Sequence, residues 1–187
     1  MTKFLNRENC YIGEGVIFGD NVIIYENNHI EGNCHIGDDT VLLPGNFIVD
    51  SSIGANCKLS SSIIENSTIK DNVSVGPFAH IRMEASIEDN CRIGNFVEIK
   101  KSDIGKGSKI SHLAYVGDAK VGENCNIGCG AIFVNYNGKS KSKTEVGNHV
   151  FIGSNCNIIA PVKIEDESYI CAGTTVTEDI ESEDFVI

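Results

Sequence analysis

Ile81-Arg82-Met83-Glu84-Ala85-Ser86-Ile87-Glu88-Asp89-Asn90-Cys91-Arg92-Ile93-Gly94-Asn95-Phe96-Val97-Glu98-Ile99 carries isoleucine at every sixth position, with Ala85, Cys91 and Val97 four residues after successive isoleucines. A period of six fits neither a helix of 3.6 residues per turn nor one long alternating strand. It fits short strands joined by tight turns. Before this stretch the apolar anchors are Ile12, Phe18, Ile24, Ile30, Ile36, Leu42 and Ile48, then Ile53, Leu59, Ile64, Ile69 and Val75 with a few five-residue steps. After it they run through Ile104, Ile110, Val116, Val121, Ile127 and Phe133, and again from Val146 to Val176. Glycine often follows the anchor, as at Gly13, Gly37, Gly94, Gly122 and Gly147, which suits turns with unusual backbone angles. The position four after the anchor is small or β-branched, as in Val22, Thr40, Val73, Ser108 and Val150. Two inward residues per hexad give a narrow core packed by stacking one repeat on the next. The repeat occupies 12–187, with 1–11 as a lead-in.

The chain of 187 residues is 41% hydrophobic and 22% charged, the make-up of one folded domain. It has no apolar run of membrane-spanning length, and its first residues lack the apolar region of a signal peptide, so a soluble cytoplasmic protein is expected. A formal charge of -11 argues against nucleic acid as partner, because phosphate contacts need a basic footprint. The charge is uneven: 4 basic and 10 acidic residues up to Ile81, 10 and 7 from Arg82 to Lys143, and 1 and 9 from Thr144 onward. The locally positive middle third suits a small anionic ligand.

These hexads resemble those of the left-handed parallel β-helix. The resemblance implies an all-β, single-stranded prism with three flat sides and three hexads per coil; its left hand comes from the resemblance and is an exception to the usual crossover. About 28 hexads then make roughly nine coils, on the order of 43 Å long at a strand spacing of ~4.8 Å. Residues three anchors apart stack. Lys100 falls on Arg82, and two cations at that spacing imply either an anion between them or plain solvated surface. Cys129 falls on His112, with Tyr115, Asn126, Asn135 and Tyr136 in neighbouring coils around an imidazole able to exchange a proton near neutral pH. Of the eight cysteines, Cys34, Cys57, Cys91, Cys125 and Cys156 occupy the small inward position and read as core packing. Cys57, Cys91 and Cys125 recur on one side every second coil, roughly 10 Å apart and too far for a disulfide. Cys125 and Cys129 lack zinc-knuckle spacing, so no metal site is expected. Between Phe133 and Val146 the step is 13 residues, so a loop around 135–145 leaves the prism. It is either a solvated basic excursion or an arm whose lysines meet phosphate on a neighbouring subunit.

From Val75 to Asp179, and most specifically in GNFVE-KK (94–101), SHL-Y-GDA (111–119) and NYNGK-K-KT (135–144), the sequence resembles the acetyltransferase domain of bifunctional glucosamine-1-phosphate N-acetyltransferase/UDP-N-acetylglucosamine pyrophosphorylases. The resemblance implies a homotrimer with active sites between subunits, acetyl-CoA as donor, glucosamine 1-phosphate as acceptor, and a role in UDP-N-acetylglucosamine and cell-wall precursor synthesis without a metal. It implies that Arg82 and Lys100 hold the sugar phosphate and that His112 is the general base for the 2-amino group. Tyr115, Asn126 and Lys141 would position the amino sugar, while Cys129, Asn135, Tyr136, Ser154 and Ala172 would line the acetyl-CoA side. Transfer is expected to be direct, with a backbone N–H near Cys129 stabilising the oxyanion.

Three departures from the family pattern stand out. Arg82-Met83-Glu84-Ala85 replaces Arg-Pro-Gly-Ala, which puts a carboxylate beside the phosphate site. Cys129 replaces alanine. The residues include neither a nucleotidyltransferase domain nor the family's C-terminal arginine, so no uridylyl transfer is expected and a separate uridylyltransferase is a possible partner. The alternatives are an acyltransferase for another amino-sugar phosphate, a metal-dependent hydratase built on His80 and His112, and a non-catalytic β-helix scaffold.

Overall fold

The anchors lie in strands of two to four residues, each turned inward between outward neighbours, as in Ile63–Glu65 with only Ile64 buried. The computed structural model describes residues 1–187. Its strands form three parallel sheets of 11, 10 and 9 strands, and hydrogen-bonded neighbours in each sheet are three strands apart in chain order, except the last pair of the 11-stranded sheet, which are two apart. The chain thus passes from face one (11 strands) to face two (10) to face three (9) and back, a solenoid of about ten coils. No helix is long and apolar enough to cross a membrane; the one helical turn is a 3₁₀ segment at Arg7–Asn9.

The coil count exceeds the nine expected because face one is longer at both ends. Lys3–Phe4 pairs with Ile23–Ile24, so the segment expected as a lead-in already supplies a strand, and Phe185–Val186 pairs with Tyr169–Ile170. Inside, Ile24, Ile30, Ile36 and their successors are wholly buried and join one continuous apolar cluster along the axis.

The small inward positions are where polar groups enter this core, and several of them bond the backbone of an adjacent coil. Ser108 Oγ donates to Gly122 O (2.8 Å) and accepts from Cys125 N (2.9 Å). Cys125 Sγ in turn donates to Gly147 O (3.0 Å). All eight cysteines are unpaired, and the five assigned to the core are buried. Burial pushes the Cys57 and Cys91 thiols up to about 11, which makes them poor nucleophiles at neutral pH.

Corners demand left-handed backbone, and most of those positions carry Asn, Asp or Gly, which tolerate it. The corner after Arg82 is different. Ile81 to Ile87 spans six residues where Ile99 to Ile104, on the next coil, spans five, so the extra residue bulges. Met83 and Glu84 are consecutively left-handed there, with φ 58° and 61°. Glycine at 84 escapes ~1–2 kcal/mol of crowding but costs ~0.5–1 kcal/mol of chain entropy. Glu84→Gly is therefore expected to raise the thermal midpoint by about 2 °C. A midpoint that falls would mean that the carboxylate itself stabilises the corner.

Candidate active site

The corner between faces one and two carries a line of residues set by the register. Asn95 pairs with His112 across strands Arg92–Asn95 and Lys109–His112. Extending the pairings Ile110↔Ile127 and Ile127↔Ile152↔Ile170 by two residues places Cys129, Ser154 and Ala172 on the following three coils. Backbone bonds hold the turns: Gly130 N–H donates to His112 O (3.2 Å), Asn155 N–H to Cys129 O (2.8 Å) and Gly173 N–H to Ser154 O (2.8 Å). His112, Cys129, Ser154 and Ala172 are all exposed. His112 Nδ1 lies 2.6 Å from Asn95 Oδ1. A carbonyl oxygen can only accept, so Nδ1 is the nitrogen that carries the proton, and in the neutral ring the lone pair falls on Nε2, as a general base needs.

A second cluster lies where face two ends. Arg82 and Lys100 pair in register, as the spacing required. In the structure each cation also has its own carboxylate. Arg82 Nε and Nη2 donate to Glu98 Oε1 at 2.8 and 2.6 Å. Lys100 is only 5% exposed, and its Nζ donates to Asp118 Oδ2 at 3.2 Å. Asn135 Nδ2 also donates to Asp118 Oδ2, and to Tyr115 Oη at 3.3 Å.

Burial opposes charge on both Lys100 and Asp118, but it is outweighed. The Asp118 carboxylate, by hydrogen bond and by charge, holds the Lys100 pKa above its ordinary value. The Lys100 and Asn135 hydrogen bonds and the lysine charges hold Asp118 below the usual carboxylate range. Lys141, exposed and close to the same pair, is drawn below its ordinary value by Lys100. A cleft of ≈ 460 Å³ opens here, lined by Glu84, Lys101, Asp103, Asp118, Lys141, Ser142 and Lys143.

Lys141 reaches this cluster through the segment between strands Ile132–Val134 and Thr144–Val146, whose exposed residues are closed by an antiparallel bridge from Tyr136 to Lys141. One chain therefore gathers Arg82, Lys100, Tyr115, Asn135 and Lys141 at the end of face two, and His112, Cys129, Ser154 and Ala172 along the preceding corner. Asn126 is not brought to either group; it projects from face one beside Lys109 and Phe151. Tyr136 is exposed. His80 bonds Glu65 at 2.9 Å on face two, so it does not converge with His112 within one chain.

Three residues of this arrangement were not singled out from the sequence: Asn95, Glu98 and Asp118. The hexad spacing that stacks Lys100 on Arg82 also stacks His112 on Asn95, so a signal for the first existed. The two carboxylates become partners only through side-chain rotamers, which spacing does not encode.

Residues 63–136 match the family described as GMPPB C-terminal domain, and residues 143–178 match the bacterial transferase hexapeptide repeat (six repeats). The chain is 51% identical to the bifunctional protein GlmU of Clostridium beijerinckii over 98% of its own length and 40% of that protein's. To GlmU of Caldicellulosiruptor saccharolyticus it is 51% identical over 94% of its length and 41% of that protein's. The chain thus spans about two fifths of the curated relatives it matches. Among solved structures it resembles the UDP-N-acetylglucosamine acyltransferase from Campylobacter jejuni, with TM-score 0.68 at 20% identity, covering 96% of this chain and 69% of that one. That likeness bears on the fold alone.

Proposed function

We propose that this chain is an acetyl-CoA-dependent N-acetyltransferase, corresponding to the acetyltransferase part of the GlmU proteins it matches, and that it acetylates the 2-amino group of glucosamine 1-phosphate. The observation that carries this reading is the Asn95–His112 pair, an exposed imidazole whose Nδ1 proton is tied down and whose Nε2 is left free to act as a base. Nε2 takes the proton as the neutral amine attacks the thioester carbonyl. Gly130 N–H is committed to His112 O, whereas Cys129 N–H has no backbone acceptor and is left to donate to the oxyanion. Ser154 and Ala172, small and exposed on the next coils, leave room for the extended donor along that corner. At the end of face two, Lys141 with Arg82 and Lys100 supplies positive charge for the sugar phosphate.

The separation of Asn126 from the Lys100 cluster supports sites shared between copies in a homotrimer. If both position the same amino sugar, they reach it from two faces, as only neighbouring copies allow. The expected prism is left-handed. Glu84, a carboxylate in the cleft beside Lys101 and Lys141, favours a second reading in which the acceptor is a different amino-sugar phosphate.

Thiol release from acetyl-CoA, measured with glucosamine 1-phosphate and with other amino-sugar phosphates, separates these readings. Turnover is expected with glucosamine 1-phosphate above the rest. Turnover only with another acceptor moves the assignment to that sugar, and none with any leaves a scaffold.

A further inference from the structure

The family resemblance implies that Asn135 lines the acetyl-CoA side, yet its amide lies in the Lys100 cluster, where the residue is 8% exposed. A single nitrogen, Nδ2, donates both to Asp118 Oδ2 and to Tyr115 Oη (3.3 Å). The direction of both bonds follows from the chemistry of the partners. Asp118 also accepts from Lys100 Nζ and is held below the usual carboxylate range, so at neutral pH it carries no proton and only accepts. The amide therefore turns its NH2 group to Asp118, because its carbonyl oxygen there would face a carboxylate. The second hydrogen of that group is the one that reaches Tyr115 Oη. A phenolic oxygen that accepts has one proton left, and that proton points away from Asn135. Gly117 leaves room for this arrangement: it pairs in register with Lys100, and a Cβ there would collide with Tyr115 Oη. The tip of the tyrosine ring thus lies over bare backbone, beside the cluster.

We infer that Asp118 and Asn135 are positioning residues that fix the Tyr115 hydroxyl as a donor to an oxygen of the acceptor. The inference rests on the proposed function for an amino-sugar phosphate beside this cluster. The bonds run in one direction: Lys100 and Asn135 donate to Asp118, Asn135 donates to Tyr115, and Tyr115 donates to the ligand. The ligand atom that Tyr115 meets has to supply a lone pair. A phosphate or hydroxyl oxygen does so, whereas the 2-ammonium of an amino sugar only donates. The cluster therefore seats the acceptor with its oxygens on Tyr115 and its amine turned away. Burial of Lys100 and Asn135 reinforces this, since bonds shielded from water are stronger and polarise one another. Asn135 thereby acts on the acceptor rather than on acetyl-CoA.

Thiol-release kinetics and the NMR resonance of isotope-labelled tyrosine Cζ, both on the full chain, test this. Tyr115→Phe keeps the ring and removes the proton; it is expected to raise KM for glucosamine 1-phosphate about tenfold, the worth of one hydrogen bond to a charged group. Asn135→Ala should raise the same KM roughly five- to tenfold and leave KM for acetyl-CoA unchanged. Added to Tyr115→Phe, it should raise that KM no further, because no hydroxyl remains to orient. Gly117→Ala, which displaces the ring, should reproduce Tyr115→Phe. A rise in KM for acetyl-CoA with Asn135→Ala overturns the inference and returns the amide to the donor side. Effects that multiply in the double variant overturn it as well, since a merely structural Asn135 acts independently of the hydroxyl. The Tyr115 resonance, identified by its loss in Tyr115→Phe, should move in Asn135→Ala with no ligand present. An unmoved resonance overturns the inference for any acceptor. A resonance that moves in a protein without turnover of glucosamine 1-phosphate supports it and overturns the acceptor assignment instead.

Discussion

His112→Ala is expected to lower kcat for acetyl transfer by about a hundred- to ten-thousandfold, the usual worth of a positioned general base, with little change in KM for either substrate. The reasoning is local. The attacking amine must shed a proton, and the imidazole is the titratable side chain on the corner whose free nitrogen is defined by a hydrogen bond on the other. Asn95→Ala should cost less, roughly five- to tenfold, the equivalent of about 1 kcal/mol of orienting hydrogen bond. The two effects should not add, because without His112 there is nothing for Asn95 to orient. Raising the pH narrows the His112→Ala deficit, since hydroxide increasingly takes the proton that the neutral amine sheds as it attacks. Steady-state kinetics across pH decide the matter: a deficit that stays constant as pH rises would assign His112 a binding role rather than proton transfer.

How much of this was legible before the structure divides along a physical line. The anchor spacing determined the strands, the stacking of Lys100 on Arg82 and the burial of the five inward cysteines, because a repeat whose coils hydrogen-bond in register leaves each backbone position little freedom. The same arithmetic reached Cys129 over His112. It stopped where side chains choose among rotamers. Arg82 and Lys100 read as a pair facing either an anion or solvent, and the spacing did not show Glu98 and Asp118, which stand beside them only in three dimensions and each take one cation. The first strand escaped notice because Lys3-Phe4 is too short to show a period, and it forms because Ile23–Ile24 offers it a free edge. Asn126 illustrates the opposite case. Its position on face one was fixed by spacing, yet the use proposed for it calls for a neighbouring copy, which one chain's sequence does not describe.

Asp118→Ala is expected to destabilise the protein by ~3 kcal/mol, because it strands a buried ammonium rather than merely deleting a contact. For a chain of this length that is a fall in thermal midpoint of about 9 °C. Lys100 is 5% exposed and the Asp118 side chain 13%, so water screens the pair poorly. The double replacement Lys100→Met with Asp118→Leu should recover much of the loss, since the cost lies in leaving one partner unpaired. The pH dependence follows from the two shifts. Asp118 sits below the usual carboxylate range, so its contribution is present above the unfolded value of ~3.9 and is lost as pH falls through the lower folded value. Lys100 sits above its ordinary value, so its contribution is complete below ~10.4 and is lost as pH rises through the folded value. The pair thus stabilises throughout the neutral range, and Asp118→Asn should flatten the acid limb of a stability–pH curve. The same neutralisation bears on substrate. A lysine already paired with Asp118 offers phosphate only part of its charge, so the exposed Lys141 has to supply more. Lys141→Ala should therefore raise KM for glucosamine 1-phosphate without moving the melting temperature, whereas Lys100→Ala should move both. If Lys141→Ala leaves KM unchanged while Lys100→Ala alone raises it, the phosphate sits on the buried lysine and must displace Asp118 to reach it.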